Sequence, residues 1–180
     1  VDTKKEVFSK EDEQGLILKG YVAFLDPPKP TTRKAIKALK NRGLTMKVLT
    51  GDNELVTRKI CTDVGLENGR LITGEEIEKI TDEELQPLVE TTHIFARLLP
   101  TQKERVIRAL HANGHVVGYL GDGINDALAL KTSDVGISVN NAVDIAKESA
   151  DIILLKKNLM VLEDGVIEGR KTFGNIVKYI

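Results

Sequence analysis

Six consecutive residues, Gly121 to Asp126, combine groups that suit chemistry on a phosphate. They read Gly-Asp-Gly-Ile-Asn-Asp, so Asp122 and Asp126 stand four residues apart with Asn125 between them. Mg²⁺ prefers hard oxygen ligands. One or two protein carboxylates usually coordinate it, and its other ligands are water and phosphate oxygens. The spacing therefore predicts Asp122 and Asp126 as magnesium-binding residues and Asn125 as a contact to a phosphoryl oxygen. A glycine-rich turn with solvated acids is the alternative.

Two further features suit an anion. Thr50-Gly51-Asp52 offers a hydroxyl and free backbone N–H groups before a predicted helix, which can cradle a phosphate. Taken alone, this tripeptide is better explained by helix capping, since Asp52 or Asn53 would cap the helix that follows. Lys103 stands early in another predicted helix, where the macrodipole disfavours a cation, and a nearby phosphate would explain it. A solvated surface lysine is the alternative. Together with the acidic loop, these residues describe a phosphoryl-transfer site with Mg²⁺.

The elements that must position these loops alternate between short strands and helices. That pattern predicts an α/β fold, a parallel sheet covered by helices on both faces. Ligands in such sheets bind beyond the carboxyl ends of the strands, which places Thr50 and Asp122 on one rim. Strands are predicted at Leu16–Leu25, Met46–Leu49, His93–Ala96, Val116–Leu120, Val135–Val139 and Ile152–Leu155. Helices are predicted at Thr31–Arg42, Asn125–Thr132, Asn141–Ala150 and Leu159–Ile180. A further helix should follow Asp52 and point Leu55, Val56, Ile60 and Val64 inward. Another should begin at a capping box of Thr101 and Glu104 and end at Gly114.

The acidic stretch Glu67–Glu90 is predicted to be a surface insertion with a capping box at Thr81 and Glu84.

The whole chain has 180 residues, with 26 Lys and Arg against 27 Asp and Glu, which argues against a nucleic-acid partner. Its one cysteine, Cys61, excludes an intrachain disulfide and is predicted to be an inert thiol. His111 and His115 lack a third ligand for zinc.

The motifs resemble those of the P-type cation-transporting ATPases, whose phosphorylation domain has a haloacid dehalogenase-like fold. The resemblance runs from about Leu16 to Ile180. Phe95–Leu98 and Val161–Arg170 are most similar to the bacterial magnesium-transporting branch. The residues that carry the family resemblance occur in the family's order and spacing: Asp26-Pro27-Pro28, Thr50-Gly51-Asp52, Lys103 and Gly121–Asp126.

The resemblance implies a role for each motif. Asp122 would bind Mg²⁺ with support from Asp126, and Lys103 would offset charge as the phosphoryl group moves. Asn125, Thr50 and Gly51 would hold phosphoryl oxygens, and Asp26 and Asp52 would lie near the nucleotide, ATP. Two positions depart from the family pattern: Leu128 replaces its usual proline, and Lys29 replaces a frequent arginine.

The family's phosphorylated aspartate, in an Asp-Lys-Thr-Gly-Thr motif, has no counterpart in these 180 residues. The resemblance therefore implies that residues 1–180 are the C-terminal portion of a phosphorylation domain, a Rossmannoid three-layer sandwich lacking its nucleophile strand. Its sheet should have a gap, a substitute strand or a distorted centre between the Met46 and Val116 strands. Residues 159–180 would form a stalk helix towards the bacterial inner membrane, and the domain would lie on the cytoplasmic side. Partners would be ATP, the transported cation, expected to be Mg²⁺, and the rest of the polypeptide.

Two other functions remain open at this point. A free-standing phosphatase of the same fold would need an aspartate nucleophile, and Asp26 is the candidate with a predicted strand before it. A non-enzymatic receiver or scaffold domain would use the same rim to bind a phosphorylated partner.

Overall fold

A computed structural model describes residues 9–12, 14–22, 27–66, 69–156 and 158–179. The helices are α1 (Thr32–Asn41), α2 (Glu54–Val64), α3 (Gly74–Glu78), α4 (Asp82–Thr91), α5 (Pro100–Ala112), α6 (Ala127–Thr132), α7 (Asp144–Glu148) and α8 (Met160–Val177). The strands are β1 (Val48–Leu49), β2 (Leu71–Thr73), β3 (Ile94–Ala96), β4 (Gly118–Leu120), β5 (Val135–Val139) and β6 (Ile152–Leu154). Short 3₁₀ helices cover Lys10–Asp12 and Ile124–Asp126.

The six described strands form two sheets of three. The first has the order β1-β3-β2 and the second the order β4-β5-β6, and every pair is parallel. The predicted α/β class is therefore confirmed. The sheet is divided between β1 and β4, where the absence of a nucleophile strand predicted a gap, a substitute strand or a distorted centre. Among the described residues, no strand pairs with the outer edge of β1 or of β4.

The first sheet is covered on both faces. Leu49, Ile72 and Phe95 point to one side, where they pack with side chains of α4 and α5. Their neighbours along the strands, such as Val48 and Ile94, point to the other side and pack with α1 and α2. This alternation follows from the two-residue period of a strand and gives three layers.

Within the described part of the chain, helices cover the second sheet on one face, and its other face is partly open. Tyr119 packs with Ile107 of α5 and with buried alanines and leucine of α6 and α7. On the opposite face, Leu120 pairs in register with Ile137, and Ile137 with Ile152. Leu120 is 41% exposed and Ile152 is 48% exposed. A row of apolar side chains is therefore partly open across β4, β5 and β6, although Leu154, two residues further along β6, is only 8% exposed.

Helix α5 joins the two halves. Val106 and Leu110 of α5 belong to the first core cluster, and Ile107 belongs to the second. Leu49 and Val117 pack against both clusters. The β1 and β4 edges therefore lie at the boundary between the halves.

Several predictions about individual elements are wrong. Residues 16–22 form no strand, because no described strand pairs with them, and a strand needs a partner for its backbone groups. Residues 23–25 of that predicted strand lie outside the described residues. The stretch Glu67–Glu90 is not a surface insertion. Within its described part, β2 is a strand of the first sheet, and Ile77, Leu85 and Val89 are fully buried.

Helix boundaries and faces also need correction. Leu55 and Val56 of α2 do not point inward, since they are 80% and 45% exposed. Helix α5 begins at Pro100, where Gln102 rather than Glu104 accepts the capping bond, from the Leu99 amide. Strand β4 is half exposed, and Val116 before it is 84% exposed. Strand β5 has its predicted bounds, and the remaining predicted strands and helices are present with shorter ones. The capping box of Thr81 and Glu84 is confirmed.

Helix α8 packs its first half against the end of α1. Arg42 forms an ion pair with Glu163 at 3.1 Å, and Arg170 donates a hydrogen bond to the Arg42 carbonyl oxygen at 2.8 Å. Further along α8, Phe173 and Ile176 are exposed. Within the described ranges, no helix combines the length and the apolar character needed to cross a membrane.

Candidate functional site

The loop that follows β4 is held in place by hydrogen bonds between its backbone and strand β5. The Gly121 amide donates to the Ile137 carbonyl oxygen at 3.0 Å, and the buried Ser138 hydroxyl donates to the Gly121 carbonyl oxygen at 2.9 Å. A Cβ atom at Gly121 would lie 2.5 Å from Cβ of Asp126. Only glycine therefore allows the loop to fold this closely on itself.

Asp126 is the centre of this loop. Its Oδ1 accepts hydrogen bonds from Lys103 Nζ at 2.7 Å and from the Tyr119 hydroxyl at 2.8 Å. Its Oδ2 accepts from the Gly123 amide at 3.1 Å and from the Asp122 amide at 3.3 Å. A carboxylate offers about four acceptor positions, so Asp126 has no position left for another ligand in this arrangement.

The charge state of this cluster follows from the same contacts. Burial alone would raise the pKa of Asp126, but the hydrogen bonds from Lys103 and Tyr119 and the Lys103 charge outweigh it and hold that pKa below its ordinary value. Burial and the negative charge of Asp126 raise the pKa of the Tyr119 hydroxyl. Asp126 is therefore ionised and Tyr119 is the donor in their hydrogen bond.

Asp122 and Asn125 are arranged differently. Both are exposed, and neither side chain has a hydrogen-bond partner among the residues that the structure describes. The backbone of Asp122 is nevertheless held, because its carbonyl oxygen accepts from the Val143 amide at 3.1 Å. A fixed backbone with an exposed, unpaired carboxylate fits a Mg²⁺ site that takes most of its ligands from water and phosphate.

The second predicted loop follows β1. The Thr50 hydroxyl donates to Asp52 Oδ2 at 3.0 Å and accepts from the Asp52 amide at 3.1 Å. Asn53, not Asp52, caps α2 by accepting from the Val56 amide at 3.0 Å. The Gly51 amide donates no hydrogen bond within the described part of the chain. It is therefore available to an anion at the start of α2.

The residues after β3 connect these two loops. The Leu98 amide donates to the Thr50 carbonyl oxygen at 2.9 Å, and the Arg97 amide donates to the Asp52 carbonyl oxygen at 2.8 Å. Helix α5 starts directly afterwards, and Lys103 in its first turn reaches Asp126. Thr50, Lys103 and the loop after β4 are therefore linked along one rim, as predicted.

A cavity of about 240 Å³ opens beside the β1 loop. Thr50 and Asp52 are among its lining residues, together with Pro28 and mostly apolar side chains of α1, β1 and α2. Asp26, predicted to lie near a nucleotide, falls outside the described residues. Pro28 nevertheless brings the chain that follows Asp26 to this end of the rim.

Two residues of the site were not predicted from the sequence. Tyr119 lies in the apolar run Val116–Leu120, which indicates only a buried strand, and nothing in that run indicates its bond to Asp126. Arg97 has a left-handed backbone, with φ of 52°, and its guanidinium pairs with Glu54 at 3.1 Å. Such a conformation is uncommon for a residue other than glycine, and no sequence signal marks it.

Comparison with known proteins agrees with this geometry. The family model for haloacid dehalogenase-like hydrolases matches residues 2–134. The magnesium-transporting ATPase, P-type 1, of Escherichia coli K12 is 60% identical over 173 residues, which is 96% of this chain and 19% of that protein. A calcium-transporting ATPase of Bacillus subtilis is 34% identical over 174 residues, 95% of this chain and 20% of that protein.

A solved structure gives the same result at the level of the fold. The catalytic domain of the CPx-ATPase CopB-B, studied for conformational changes upon nucleotide binding, superposes with a TM-score of 0.58 at 30% identity. The match covers 76% of this chain and 44% of that one. The chain thus spans about a fifth of the length of the curated relatives it matches.

Proposed function

Since this chain belongs to the family of haloacid dehalogenase-like hydrolases, we propose that it is part of the phosphorylation domain of a P-type ATPase. The parent protein would couple ATP hydrolysis, through an aspartyl-phosphate, to the transport of a cation across a membrane. The similarity to magnesium-transporting ATPases favours Mg²⁺ as that cation. The observation that carries the proposal is the ion pair of Lys103 and Asp126 at 2.7 Å, which joins α5 to the loop after β4.

Each side chain of the rim has a role in this proposal. Asp122 binds Mg²⁺ directly, since its carboxylate is exposed and unpaired among the described residues, and Asp126 supports it by holding the loop. Bound Mg²⁺ supplies positive charge beside the transferred phosphoryl group. Lys103 supplies further positive charge, and Thr50, Gly51 and Asn125 hold phosphoryl oxygens. These groups act by charge neutralisation and positioning, which dominate catalysis of phosphoryl transfer.

ATP would bind next to the rim, and the nucleophile would come from a neighbouring part of the protein. Asp52, at the cavity beside Thr50, and Asp26 before Pro27 would lie near the bound ATP. The esterified aspartate would stand on a strand between β1 and β4, whose facing edges are unpaired among the described strands. Residues 1–180 would then be the C-terminal portion of the domain, with residues 159–180 as a stalk helix on the cytoplasmic side of a bacterial inner membrane.

A graft tests the proposal. The matched 173-residue segment of the E. coli magnesium-transporting ATPase is replaced by this chain, and acid-stable phosphoenzyme is measured after addition of labelled ATP and Mg²⁺. We expect phosphoenzyme to form. Asp122→Asn and Lys103→Met should each lower its rate of formation at least about a hundredfold, as for loss of a group that stabilises transition-state charge.

The matched control is Asp164→Asn, an exposed aspartate of α8 away from the rim, which should leave the rate unchanged. The 180-residue chain alone should hydrolyse no ATP, since it lacks the nucleophile motif. Turnover by the isolated chain that disappears in Asp122→Ala would contradict the proposal. So would a folded graft whose phosphoenzyme does not depend on Asp122.

A further inference from the structure

Tyr119 occupies a position that the roles above leave unexplained. It lies in the middle of β4 and is only 9% exposed. Its ring lies beneath the loop after β4, because a Cβ atom at Gly121 would come within 3.0 Å of Tyr119 Cε1. Its hydroxyl ends at Asp126 Oδ1, at 2.8 Å. A phenylalanine would fill the same space without that contact.

The hydroxyl shares its acceptor with Lys103. Lys103 Nζ lies 2.7 Å from the same oxygen, and the exposed fractions of the two side chains are 8% for Lys103 and 14% for Asp126. A lysine has no acceptor and a carboxylate no donor, so both Lys103 and Tyr119 donate to Oδ1. In the absence of an anion, the Lys103 ammonium is therefore bonded to Asp126.

When phosphate binds, the Lys103 ammonium has to contact a phosphoryl oxygen in addition to Asp126 or in place of it. When the ammonium turns to a phosphoryl oxygen, it loosens its bond to Asp126, and a mostly buried carboxylate loses its cation. Leaving a buried charge uncompensated is costly. The Tyr119 hydroxyl remains at Oδ1, and its bond strengthens because a less compensated carboxylate is the stronger acceptor.

We propose that Tyr119 is a positioning residue that allows Lys103 to pass from Asp126 to the phosphoryl group. The hydroxyl stabilises the state in which Lys103 contacts phosphate more than the state in which Lys103 contacts Asp126. Without it, Lys103 stays bound to Asp126 and the anion is held less tightly. This inference rests on the proposed function, since it assumes that Lys103 meets a phosphoryl oxygen.

The test is a double-mutant cycle on the 180-residue chain. Inorganic phosphate is titrated in the presence of Mg²⁺, and affinity is read from the amide signals of Gly51 and Asn125 in ¹H–¹⁵N spectra. We expect Tyr119→Phe to weaken phosphate binding by about tenfold, as for a hydrogen bond to a charged group. In the Lys103→Met background, Tyr119→Phe should cause no further loss.

That second arm separates positioning from general support of the loop. If Tyr119 only holds the loop in shape, its substitution should weaken binding equally with and without Lys103. The matched control is Tyr179→Phe, a tyrosine that is 91% exposed, which should change nothing. Mg²⁺ affinity measured without phosphate should also be unchanged in Tyr119→Phe, because Asp122 keeps its backbone position.

Failure of the inference differs from failure of the proposed function. If Lys103→Met weakens phosphate binding and Tyr119→Phe does not, only the role of Tyr119 is overturned. If both substitutions weaken binding and their effects add, Tyr119 is a structural residue and the inference is again wrong. If Lys103→Met binds phosphate as tightly as the unsubstituted chain does, Lys103 contacts no phosphoryl oxygen, and its proposed role falls together with the inference.

Discussion

Each sheet has a row of apolar side chains in register across its three strands, and the two rows differ in how far they are buried. In the first sheet, Val48 and Leu71 flank Ile94 in register, and the row packs against α1, α2 and Cys61. In the second sheet, Leu120, Ile137 and Ile152 form the equivalent row, and its two outer members are 41% and 48% exposed. Strand sequences of the same apolar type therefore end up covered in one half and open in the other.

The difference lies in the connections and not in the strands. The chain before β1 and the chain between β1 and β2 form helices α1 and α2, which return over one face of the first sheet. Between β4 and β6, helices α6 and α7 both pack in the cluster around Tyr119. The exposed apolar row of the second sheet therefore results from helices that lie on one side of it.

The largest expected effect separates the two rows directly. Ile94 is fully buried, so Ile94→Ala should lower the free energy of unfolding by about 3–4 kcal/mol through lost burial and a residual cavity. Ile152→Ala should cost less than about 1 kcal/mol, because half of that side chain already contacts water. Urea denaturation followed by circular dichroism measures both. Equal losses at the two positions would show that the second row is covered in solution.

A smaller effect concerns a defect in the better-packed half. The Thr92 hydroxyl is buried beneath the end of α4 and is without a hydrogen-bond partner among the described residues. Thr92→Val keeps the shape and removes an unsatisfied group, so it should raise the free energy of unfolding by about 1 kcal/mol. Thr132→Val is the matched control, because that hydroxyl donates to the Leu128 carbonyl oxygen at 2.9 Å. A Thr92→Val protein less stable than its parent would reveal a hidden partner.

The smallest effect depends on pH and lies in the second half. Asp134 accepts from the Val117 amide at 2.7 Å and lies 2.9 Å from His111 Nε2. The Val117 bond, with a smaller part from His111, holds the pKa of Asp134 below its ordinary value. Its contribution to stability is therefore present above the ordinary aspartate pKa of about 3.9 and is lost as pH falls through the folded value.

Asp134→Asn should remove this dependence. The side chain is 44% exposed, so we expect the substitution to cost less than about 1 kcal/mol at pH 7. The two proteins should converge in stability as the pH is lowered below about 4. Urea midpoints measured from pH 3 to pH 7 give the comparison. A constant difference across that range would contradict the assignment of the titrating group.

The sequence was most informative where glycine, charge and strand ends coincide. The rim was predictable because the carboxyl ends of parallel strands meet on one edge, so the loops at Thr50 and Asp122 could be placed on the same side of the sheet. The missing Asp-Lys-Thr-Gly-Thr motif implied a missing strand, and the division of the sheet is one of the three outcomes expected from that, beside a substitute strand and a distorted centre.

Other features depend on contacts that no local pattern records. The acidic exterior of Glu67–Glu90 suggested an insertion, but its apolar positions, such as Leu85 and Val89, fill the first core and could be placed only by long-range packing. The segment at Leu16 has the composition of a strand and forms none within the described residues, because composition does not supply a pairing edge. The bond of Tyr119 to Asp126 needs the turn at Gly121, whose tightness a sequence does not reveal.

The position of α5 has a mechanical consequence. Its side chains are embedded in both core clusters, and its first turn carries Lys103. A rotation of one half against the other must tilt this helix, because a close-packed interface transmits displacement. Lys103 would then move with the helix, so the orientation of one half relative to the other sets the position of the Lys103 ammonium.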